Sequence, residues 1–243
     1  TGFKAPSPSQ VNTGFSNPVS NYQSISNPDL KPETSRTLEA GLRLGRESWR
    51  LSVTGFTGDY DDFIEQVQVG GNFTAASPAV YQYVNLTGVT ISGAEAKGSV
   101  VLGAGFTARA AVAYAKGSSK AKGVSTPLVS IDPLKITGGL GYRAPSGRFG
   151  GDLSVIHADR KSASRTGVTC AGGCFTPAAF TVADATAWWS VTEAVTVRAG
   201  VFNLTDEKYW WWSDVRGLSD TSVVKDAYSQ PGRNYSISLA LKF

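Results

Sequence analysis

The chain has 243 residues, of which 41% are hydrophobic and 17% charged, with a net charge of +4. This composition excludes a disordered chain. The Lys and Arg residues are scattered rather than clustered in one run, which argues against nucleic-acid binding. No run of roughly 18 apolar residues is present, so no membrane-spanning helix is expected, whereas barrel strands remain allowed because they alternate apolar and polar residues.

A single structural unit is expected, because no linker separates stretches of different composition. The sequence begins at Thr1, contains no Met, and shows neither a basic segment nor an apolar segment of the kind found in secretory signals. These features predict a piece of a longer protein.

Apolar and polar residues alternate with a period of two from Ser35 onward, which predicts strands. The alternation is clearest at the end of the chain, where one face carries Tyr235, Ile237, Leu239, Leu241 and Phe243. The pattern predicts nine strands, with the first few residues as the end of a tenth. They lie at about 35–45, 48–68, 81–102, 106–116, 132–143, 148–160, 180–190, 195–211 and 230–243.

Charged residues occur in mid-strand on the polar face, so that face needs water while the other needs an apolar medium. A soluble sandwich would satisfy the same alternation. Short turns alternate with longer loops near residues 70–80, 117–131, 161–179 and 213–229, which favours an outer-membrane barrel. Aromatic residues near strand ends predict interfacial girdles, the alternative being a soluble core: Trp49, Tyr142, Trp188, Trp189, Tyr209, Trp210, Trp211, Trp212, Tyr235 and Phe243.

Cys170 and Cys174 are four residues apart in a stretch of small residues. A local disulfide is expected, and it implies an oxidising compartment. A metal site is the alternative, but two thiols without a nearby His cannot complete a four-ligand zinc shell.

Features of enzymes are scarce in this sequence. It has one His, His157, and lacks both a Gly-x-Ser-x-Gly elbow and a phosphate-binding Gly-rich loop. Asp61 and Asp62 suit a carboxylate pair or calcium ligands, although solvated loop acids are far commoner. We therefore expect no catalytic role.

The last strand, which ends in Phe243, resembles the C-terminal signal that the barrel assembly machinery recognises. Residues 201–209 and 230–235 are similar to the closing strands of TonB-dependent receptors, and residues 49–64 resemble a receptor strand entering an extracellular loop. The resemblance covers most of the chain. It implies that residues 1–243 are the C-terminal part of an antiparallel transmembrane β-barrel of roughly 22 strands in the bacterial outer membrane, without the plug domain.

Two short motifs resemble the paired boxes that flank one loop in haem receptors. The first box is Phe3-Lys4-Ala5-Pro6, and the second is Asn27-Pro28-Asp29-Leu30. The resemblance implies that residues 1–34 are an extracellular loop. Related boxes occur in siderophore receptors, whereas the segments 132–136, 187–190 and 209–217 resemble the haemoglobin and haem branch.

The segment between the boxes departs from the family pattern. Haem receptors of this type commonly carry a His there as an axial iron ligand, and residues 7–26 contain none. Tyr22 is the one residue of that segment able to bind iron as a phenolate, the alternative being an exposed loop or girdle tyrosine. His157 lies on the apolar side of a strand near its outer end, so we expect it to pack at the interface rather than bind haem.

The resemblance implies uptake of haem or haem-bound iron, with haem as transported ligand and no permanently bound cofactor. The implied partners are outer-membrane lipid, haem or a haemoprotein, the barrel assembly machinery, and the TonB complex through the missing N-terminal part. The alternatives are a siderophore or other bulky-ligand receptor, and a passive porin-like or soluble carbohydrate-binding β protein. Alone, residues 1–243 are expected to form a curved antiparallel sheet whose two edges are unpaired.

Overall fold

The computed structural model describes residues 1–12, 14–86, 88–121, 124–166, 170 and 173–243. These residues are mostly strands, and none of their helices is long and apolar enough to cross a membrane. The helices are α1 (Pro8–Asn12), α2 (Trp212–Val215) and two 3-10 turns at Ala163–Arg165 and Lys225–Tyr228.

The strands are β1 (Gly2–Lys4), β2 (Phe15–Asn17), β3 (Tyr22–Ile25), β4 (Glu33–Arg46), β5 (Trp49–Asp61), β6 (Phe63–Gly70), β7 (Ala79–Leu86), β8 (Val89–Gly103), β9 (Phe106–Ala121), β10 (Val124–Pro127), β11 (Lys135–Arg143), β12 (Phe149–Ala158), β13 (Phe180–Ser190), β14 (Val195–Phe202) and β15 (Asn234–Leu241).

Most of these strands form one antiparallel sheet, which we call the wall. Its order is β1-β4-β5-β8-β9-β11-β12-β13-β14-β15, and β10 pairs with β9. Among the described residues the wall is an open sheet that ends at β1 and β15. The expectation of an all-β antiparallel fold is confirmed, and β1, which pairs with the start of β4, fits the end of a tenth strand.

The register puts apolar residues on one face of the wall. Leu42 lies opposite Val53, which lies opposite Ala96, and residues directly opposite each other share a face. On the last strand, Ile237 is 79% exposed and Leu239 is 61% exposed. Large apolar side chains exposed in contiguous rows need an apolar medium, so this face is suited to lipid. Charged residues in the middle of the strands, such as Arg43, Lys97 and Arg109, lie on the other face.

Two predicted strands are each divided in the structure. The prediction 48–68 is wrong as one strand, because Asp62 has a left-handed φ of 54° at the junction between β5 and β6. The prediction 81–102 covers both β7 and β8, and Thr87 in that range lies outside the described residues. Parts of the predicted loops 117–131 and 161–179 lie outside them as well.

The predicted strand 195–211 ends early, at Phe202. Asn203 has a φ of 52°, which turns the chain away from the sheet. The backbone N–H of Asn203 donates to Asp184 Oδ1 at 2.8 Å, and its side-chain amide donates to the carbonyl of Glu207 at 2.8 Å. These bonds stabilise a turn where alternation alone predicts extended chain.

A second sheet, separate from the wall, has four strands in the order β2-β3-β7-β6. Its strands come from two distant stretches, because β2 and β3 precede the first long strand while β6 and β7 follow β5. The strands β3 and β7 are parallel, with Tyr22 opposite Ala79. We call this sheet, together with the described parts of the long connections 117–134, 159–179 and 203–233, the loop layer.

Most of the buried apolar residues lie in the loop layer or at the strand ends next to it. They are Ile64, Ala79, Val89, Leu128, Ala158, Phe180, Val182, Trp212 and Val215, and Ala144 is buried at a short turn. Ala158, Phe180 and Val182 form a cluster onto which Tyr209 and Trp211 pack. The packed core of the described residues is therefore at the loop side of the wall.

Five of the aromatic residues assigned to girdles lie elsewhere. Trp212 is 4% exposed and contacts Lys161 and Val129 in the loop layer. Tyr209 and Trp211 pack against Phe180, and Trp210 packs against Phe175. Trp188 lies on the charged face, opposite Arg198. For these residues the girdle prediction is wrong, because the four loop residues pack between loops and the register of β13 puts Trp188 on the face away from lipid.

Another group of aromatic residues does lie near the short turns on the apolar face. Phe106 and Tyr142 are opposite each other with ring centroids 4.7 Å apart, and Phe149 is 6.1 Å from Tyr142. Trp189 lies opposite Phe149. This arrangement is what an interfacial girdle requires.

Candidate functional site

The first box is anchored through a buried carboxylate. Lys4 lies opposite Glu33, and Lys4 Nζ is 2.9 Å from Glu33 Oε2. The other oxygen of Glu33 accepts the backbone N–H of Ile64 at 2.7 Å. Glu33 therefore joins the first box to the start of β6. Phe3 and Ala5 are exposed and Pro6 is half-buried.

The second box is anchored through its asparagine. The Asn27 side-chain amide donates to the carbonyl of Tyr83 at 2.8 Å, and Asn27 Oδ1 accepts the N–H of Asp29 at 3.1 Å. Pro28 and Asp29 are exposed, whereas Leu30 is half-buried. The box thus turns the chain and attaches it to β7.

Side-chain amides extend the contact between β3 and β7 after the backbone ladder stops. The ladder ends where Ile25 lies opposite Gln82. Pro28 and Pro32 lack N–H donors, so the segment that follows cannot continue regular pairing. Gln82 donates instead to the carbonyl of Ser26 at 2.9 Å.

Asn85 makes the last of these contacts and joins three segments. Its amide nitrogen donates to the carbonyls of Lys31 at 2.9 Å and Asp62 at 2.6 Å. Its oxygen accepts the N–H of Lys31 at 2.8 Å. We call Asn27, Gln82 and Asn85 the amide ladder. It holds the loop between the boxes on the β6–β7 hairpin.

Tyr22 lies in an aromatic cluster on this sheet. Its ring centroid is 5.9 Å from that of Phe15 and 6.3 Å, edge-on, from that of Tyr81, and Phe73 is 6.2 Å from Tyr81. Burial, with a smaller effect of Tyr22, raises the pKa of Tyr81. The Tyr81 phenol is therefore neutral at physiological pH, and Tyr22 itself is half-buried.

A buried lysine and a buried tryptophan connect three loops. Lys161 donates to the carbonyl of Ile131, and its ammonium lies 5.4 Å from the ring centroid of Trp212. Trp212 Nε1 donates to the carbonyl of Val129 at 2.7 Å. Burial foremost, and then Arg165, lowers the pKa of Lys161 to about 8 against the opposing effect of Asp132.

A carboxylate of β6 contacts the same region. Glu65 accepts a hydrogen bond from Ser130 at 3.3 Å and lies 3.9 Å from Arg216. Burial raises the pKa of Glu65, although Arg216 and Ser130 oppose that effect. The β6–β7 hairpin is thus in contact with the connections 117–134 and 203–233.

The two cysteines are joined in a disulfide in the structure. Cys174 pairs with Ser219 in an isolated bridge, and Phe175 N–H donates to the carbonyl of Leu218 at 2.9 Å. The disulfide loop is therefore attached to the connection that precedes β15. Within the described residues, no group of three or more His, Cys, Asp and Glu side chains is placed to hold a metal ion.

Comparison with known proteins connects this geometry to one family. A family model described as TonB dependent receptor-like, beta-barrel matches residues 1–204. The chain belongs to this family of TonB-dependent receptor barrels. It is thus part of an outer-membrane β-barrel protein, and its wall corresponds to barrel strands.

Relatives that match the whole chain have names referring to haemoglobin. The hemoglobin-haptoglobin utilization protein B of Neisseria meningitidis serogroup C is 28% identical, with 100% of this chain and 34% of that protein covered. The hemoglobin-binding protein A of Haemophilus influenzae is 28% identical, with 100% and 27% covered. The chain thus spans about a quarter to a third of the length of these relatives.

Solved structures of receptor barrels share the fold. The copper transporter OprC is 24% identical to this chain, with a TM-score of 0.72. The match covers 90% of this chain and 33% of OprC. The FrpB iron transporter from Neisseria meningitidis is 19% identical, with a TM-score of 0.65. The match covers 90% of this chain and 32% of the transporter.

The terminal strand of this receptor barrel carries the predicted assembly signal. The side chains of Tyr235, Ile237, Leu239 and Leu241 are exposed on the apolar face, and Phe243 is exposed beyond the strand. Recognition by the assembly machinery stays a prediction.

His157 lies on the apolar face of the receptor barrel, opposite Ile136. Its Nδ1 is 2.9 Å from Thr181 Oγ1, and its Nε2 is 3.4 Å from Asp159 Oδ1. It is on a different element from the Tyr22 cluster. Its packing at a lipid interface also stays a prediction.

Three residues important to the receptor's loop layer were not singled out from the sequence, namely Glu33, Tyr81 and Asn85, and Trp212 was singled out only for a girdle. Their contacts are long-range: Asn85 and Lys31 are 54 residues apart, and Trp212 and Val129 are 83 residues apart. One local signal was available, because Glu33 follows the second box and begins a strand on the polar face.

Proposed function

We propose that this chain is part of a TonB-energised outer-membrane transporter that takes up haem or haem-bound iron. The observation that carries the proposal is similarity over the whole chain to proteins named for haemoglobin binding and utilization. Two boxes that close one loop over the wall support it, because the closed loop presents the Tyr22 cluster in the loop layer. Cargo binds there and passes through the barrel interior, while the TonB complex acts through the part of the receptor outside residues 1–243.

The partners in this proposal follow from the faces of the wall. Outer-membrane lipid contacts the apolar face, and the barrel assembly machinery recognises β15 with its terminal Phe243. Haem is cargo rather than a resident cofactor, and neither catalysis nor nucleic-acid binding is part of the function. Residues 1–34 form the extracellular loop with the two boxes.

Removal of the complete gene tests the proposal. Cells should lose growth on haemoglobin or haem as iron source, and a plasmid copy should restore it. A strain that lacks the TonB complex should show the same defect. Undiminished growth of the deletion strain on both iron sources would contradict haem uptake.

Tyr22 is our candidate iron ligand. A phenolate is a known haem ligand in proteins, and Tyr22 lies in the loop closed by the boxes. Tyr22→Phe keeps the ring contacts with Phe15 and Tyr81 but removes the phenol oxygen. In the full-length receptor it should shift the Soret band of the haem complex and weaken haem binding by roughly tenfold or more. Phe15→Leu, which disturbs the cluster without removing an oxygen, should leave the band in place.

A siderophore receptor is the second candidate, because residues 7–26 contain no His. The purified receptor should be titrated with haemoglobin, haem and ferric siderophores under the same conditions. Binding of a ferric siderophore without binding of haem or haemoglobin would favour this second candidate.

A further inference from the structure

Tyr81 lies where three separate segments of the loop layer meet. Its strand, β7, is in the middle of the four-stranded sheet, with β3 on one side and β6 on the other. Its ring contacts that of Tyr22, from the loop between the boxes, and that of Phe73, from the β6–β7 hairpin. Its hydroxyl oxygen lies beside Gly217 in the connection 203–233, because a Cβ atom on Gly217 would be 3.6 Å from it.

The contact with Phe73 is maintained by a tight turn of the hairpin. Phe73 has a left-handed φ of 64°, a conformation that is unfavourable for a bulky residue and persists only where its surroundings impose it. Gly71 passes so close to Pro78 that a Cβ atom there would clash with the Pro78 carbonyl. The amide of Gln68 donates to the carbonyl of Gly71 at 2.8 Å. The turn therefore holds the Phe73 ring against Tyr81.

The segment that contains Gly217 is attached to the interior of the loop layer. Val215 is 0% exposed, and the backbone N–H of Arg216 donates to the carbonyl of Trp212 at 3.0 Å. Gly217 follows directly and is therefore fixed relative to this buried turn. A displacement of the connection at this point changes the contact between Gly217 and the Tyr81 hydroxyl.

Among the described residues, Tyr22 has one other ring neighbour, and that neighbour is less firmly held. Phe15 is 5.9 Å from Tyr22, but it is 52% exposed and belongs to β2, a strand of 3 residues at the edge of the sheet. A short strand with a single partner strand gains little stability. The Tyr81 ring, on a central strand, is thus the contact that fixes the ring of Tyr22.

We propose that Tyr81 is a positioning residue, which sets the place of the Tyr22 ring and couples it to the connection 203–233. A shift of that connection moves the Tyr81 side chain through Gly217, and the edge-on ring contact passes the movement to Tyr22. Edge-on aromatic pairs have a preferred geometry, so the two rings move together over small displacements. The role of Tyr81 in cargo binding rests on the proposed function, in which Tyr22 is the iron ligand. The coupling itself is measurable without cargo.

A fluorine label at position 22 measures the coupling in the full-length receptor without cargo. Fluorotyrosine in place of Tyr22 should give one fluorine resonance. Alanine is disfavoured at the φ of 83° that Gly217 adopts, so in Gly217→Ala the segment should relax and shift the resonance. In the Tyr81→Leu background the same change should leave the resonance in place. A resonance that Gly217→Ala does not move, or moves equally in both backgrounds, would overturn the proposal.

Two further variants complete this experiment. Gly103→Ala introduces alanine at a φ of 89° in a short turn, where no atom lies within 4 Å of the added Cβ, and it should not move the resonance. Gly217→Asn introduces a residue that tolerates the left-handed conformation, so it serves where Gly217→Ala does not fold. Its side chain meets the Tyr81 hydroxyl and should shift the resonance only while Tyr81 is present.

Haem binding to the full-length receptor gives a second test. Tyr81→Leu should alter the Soret band and weaken binding by about two- to tenfold, the loss expected for one aromatic pair. Tyr81→Phe keeps the ring and should restore both. Tyr83→Leu, on the same face of β7 but without a ring contact to Tyr22 among the described residues, should change neither.

The two tests separate the coupling from the proposed function. Absence of haem binding to the unmodified receptor would contradict haem uptake, whereas the fluorine experiment would still decide on Tyr81. An unchanged band and affinity in Tyr81→Leu, or equal effects of Tyr81→Leu and Tyr83→Leu, would refute the positioning role.

Discussion

Asn85 should be the side chain that fixes the loop between the boxes to the barrel. It makes hydrogen bonds at 2.9 and 2.8 Å to the backbone of Lys31 and at 2.6 Å to the carbonyl of Asp62. A hydrogen bond contributes about 1 kcal/mol net, and Lys31 is exposed, so Asn85→Ala should destabilise this attachment by about 2–3 kcal/mol. That loss raises the population in which the loop is detached by about 30- to 150-fold.

Two other variants make this expectation specific. Asn85→Asp keeps an acceptor for the N–H of Lys31 but sets a carboxylate against the carbonyl oxygens of Lys31 and Asp62, so its effect should be at least as large. Asn72→Ala removes an asparagine from the same hairpin whose side chain, among the described residues, bonds only to the nearby Thr74. It should change the free energy of opening by less than about 0.5 kcal/mol.

Hydrogen exchange of the full-length receptor measures the effect. Amides of β3 and β7 should lose protection in Asn85→Ala, whereas amides of β12 and β13 should not change. Affinity for the cargo should fall with the loss of protection. Equal protection of β3 in Asn85→Ala and Asn72→Ala would refute the assignment of the amide ladder as the attachment.

Three further predictions concern the other polar contacts of the loop layer. Glu33→Ala should destabilise the β4–β6 junction by about 1–3 kcal/mol because the N–H of Ile64 loses its acceptor. Glu33→Gln should destabilise it by less, and Lys4→Met should cost at most about 1 kcal/mol. Hydrogen exchange of the Ile64 amide measures all three effects. Lys161 has a pKa lowered from 10.5 to about 8, so between these pH values the unfolded state binds more protons than the folded state. Thermal stability should therefore rise with pH across that window. Lys161→Met should abolish the increase. Trp212→Phe should accelerate proteolysis of the 117–134 connection because the bond to Val129 is lost, whereas Trp189→Phe on the apolar face should not.

The wall was predictable because apolar and polar residues alternate within each strand. Val195, Val197 and Val201 alternate with Thr196, Arg198 and Gly200, and the structure puts these two sets on opposite faces. Two of the errors occur at Asp62 and Asn203, where the chain adopts a left-handed conformation. Asp and Asn tolerate that conformation better than most residues, so both positions carried a signal that strand alternation obscured.

The loop layer was less predictable, because its contacts depend on residues far apart in the sequence. The two boxes indicated a closed loop, but their form did not show that Asn27 binds the backbone of Tyr83 or that Glu33 binds that of Ile64. Likewise, Tyr22 was identified from its position between the boxes, whereas its neighbour Tyr81 belongs to another connection. Nothing local distinguishes a tryptophan that packs between loops, such as Trp212, from one at a lipid interface.

The two parts of the molecule are therefore stabilised by different means, and this has a consequence for how the loop between the boxes can change. Both faces of the wall are determined by alternation, so a substitution in one strand seldom alters its neighbour's position. The loop layer depends on a few polar groups that are joined to backbone atoms, notably Glu33, Asn27 and Asn85. A backbone carbonyl is present whatever side chain its residue carries, and a backbone N–H is absent only from proline. The surface of the loop between the boxes can thus vary, Tyr22 included, while its attachment to the barrel is kept.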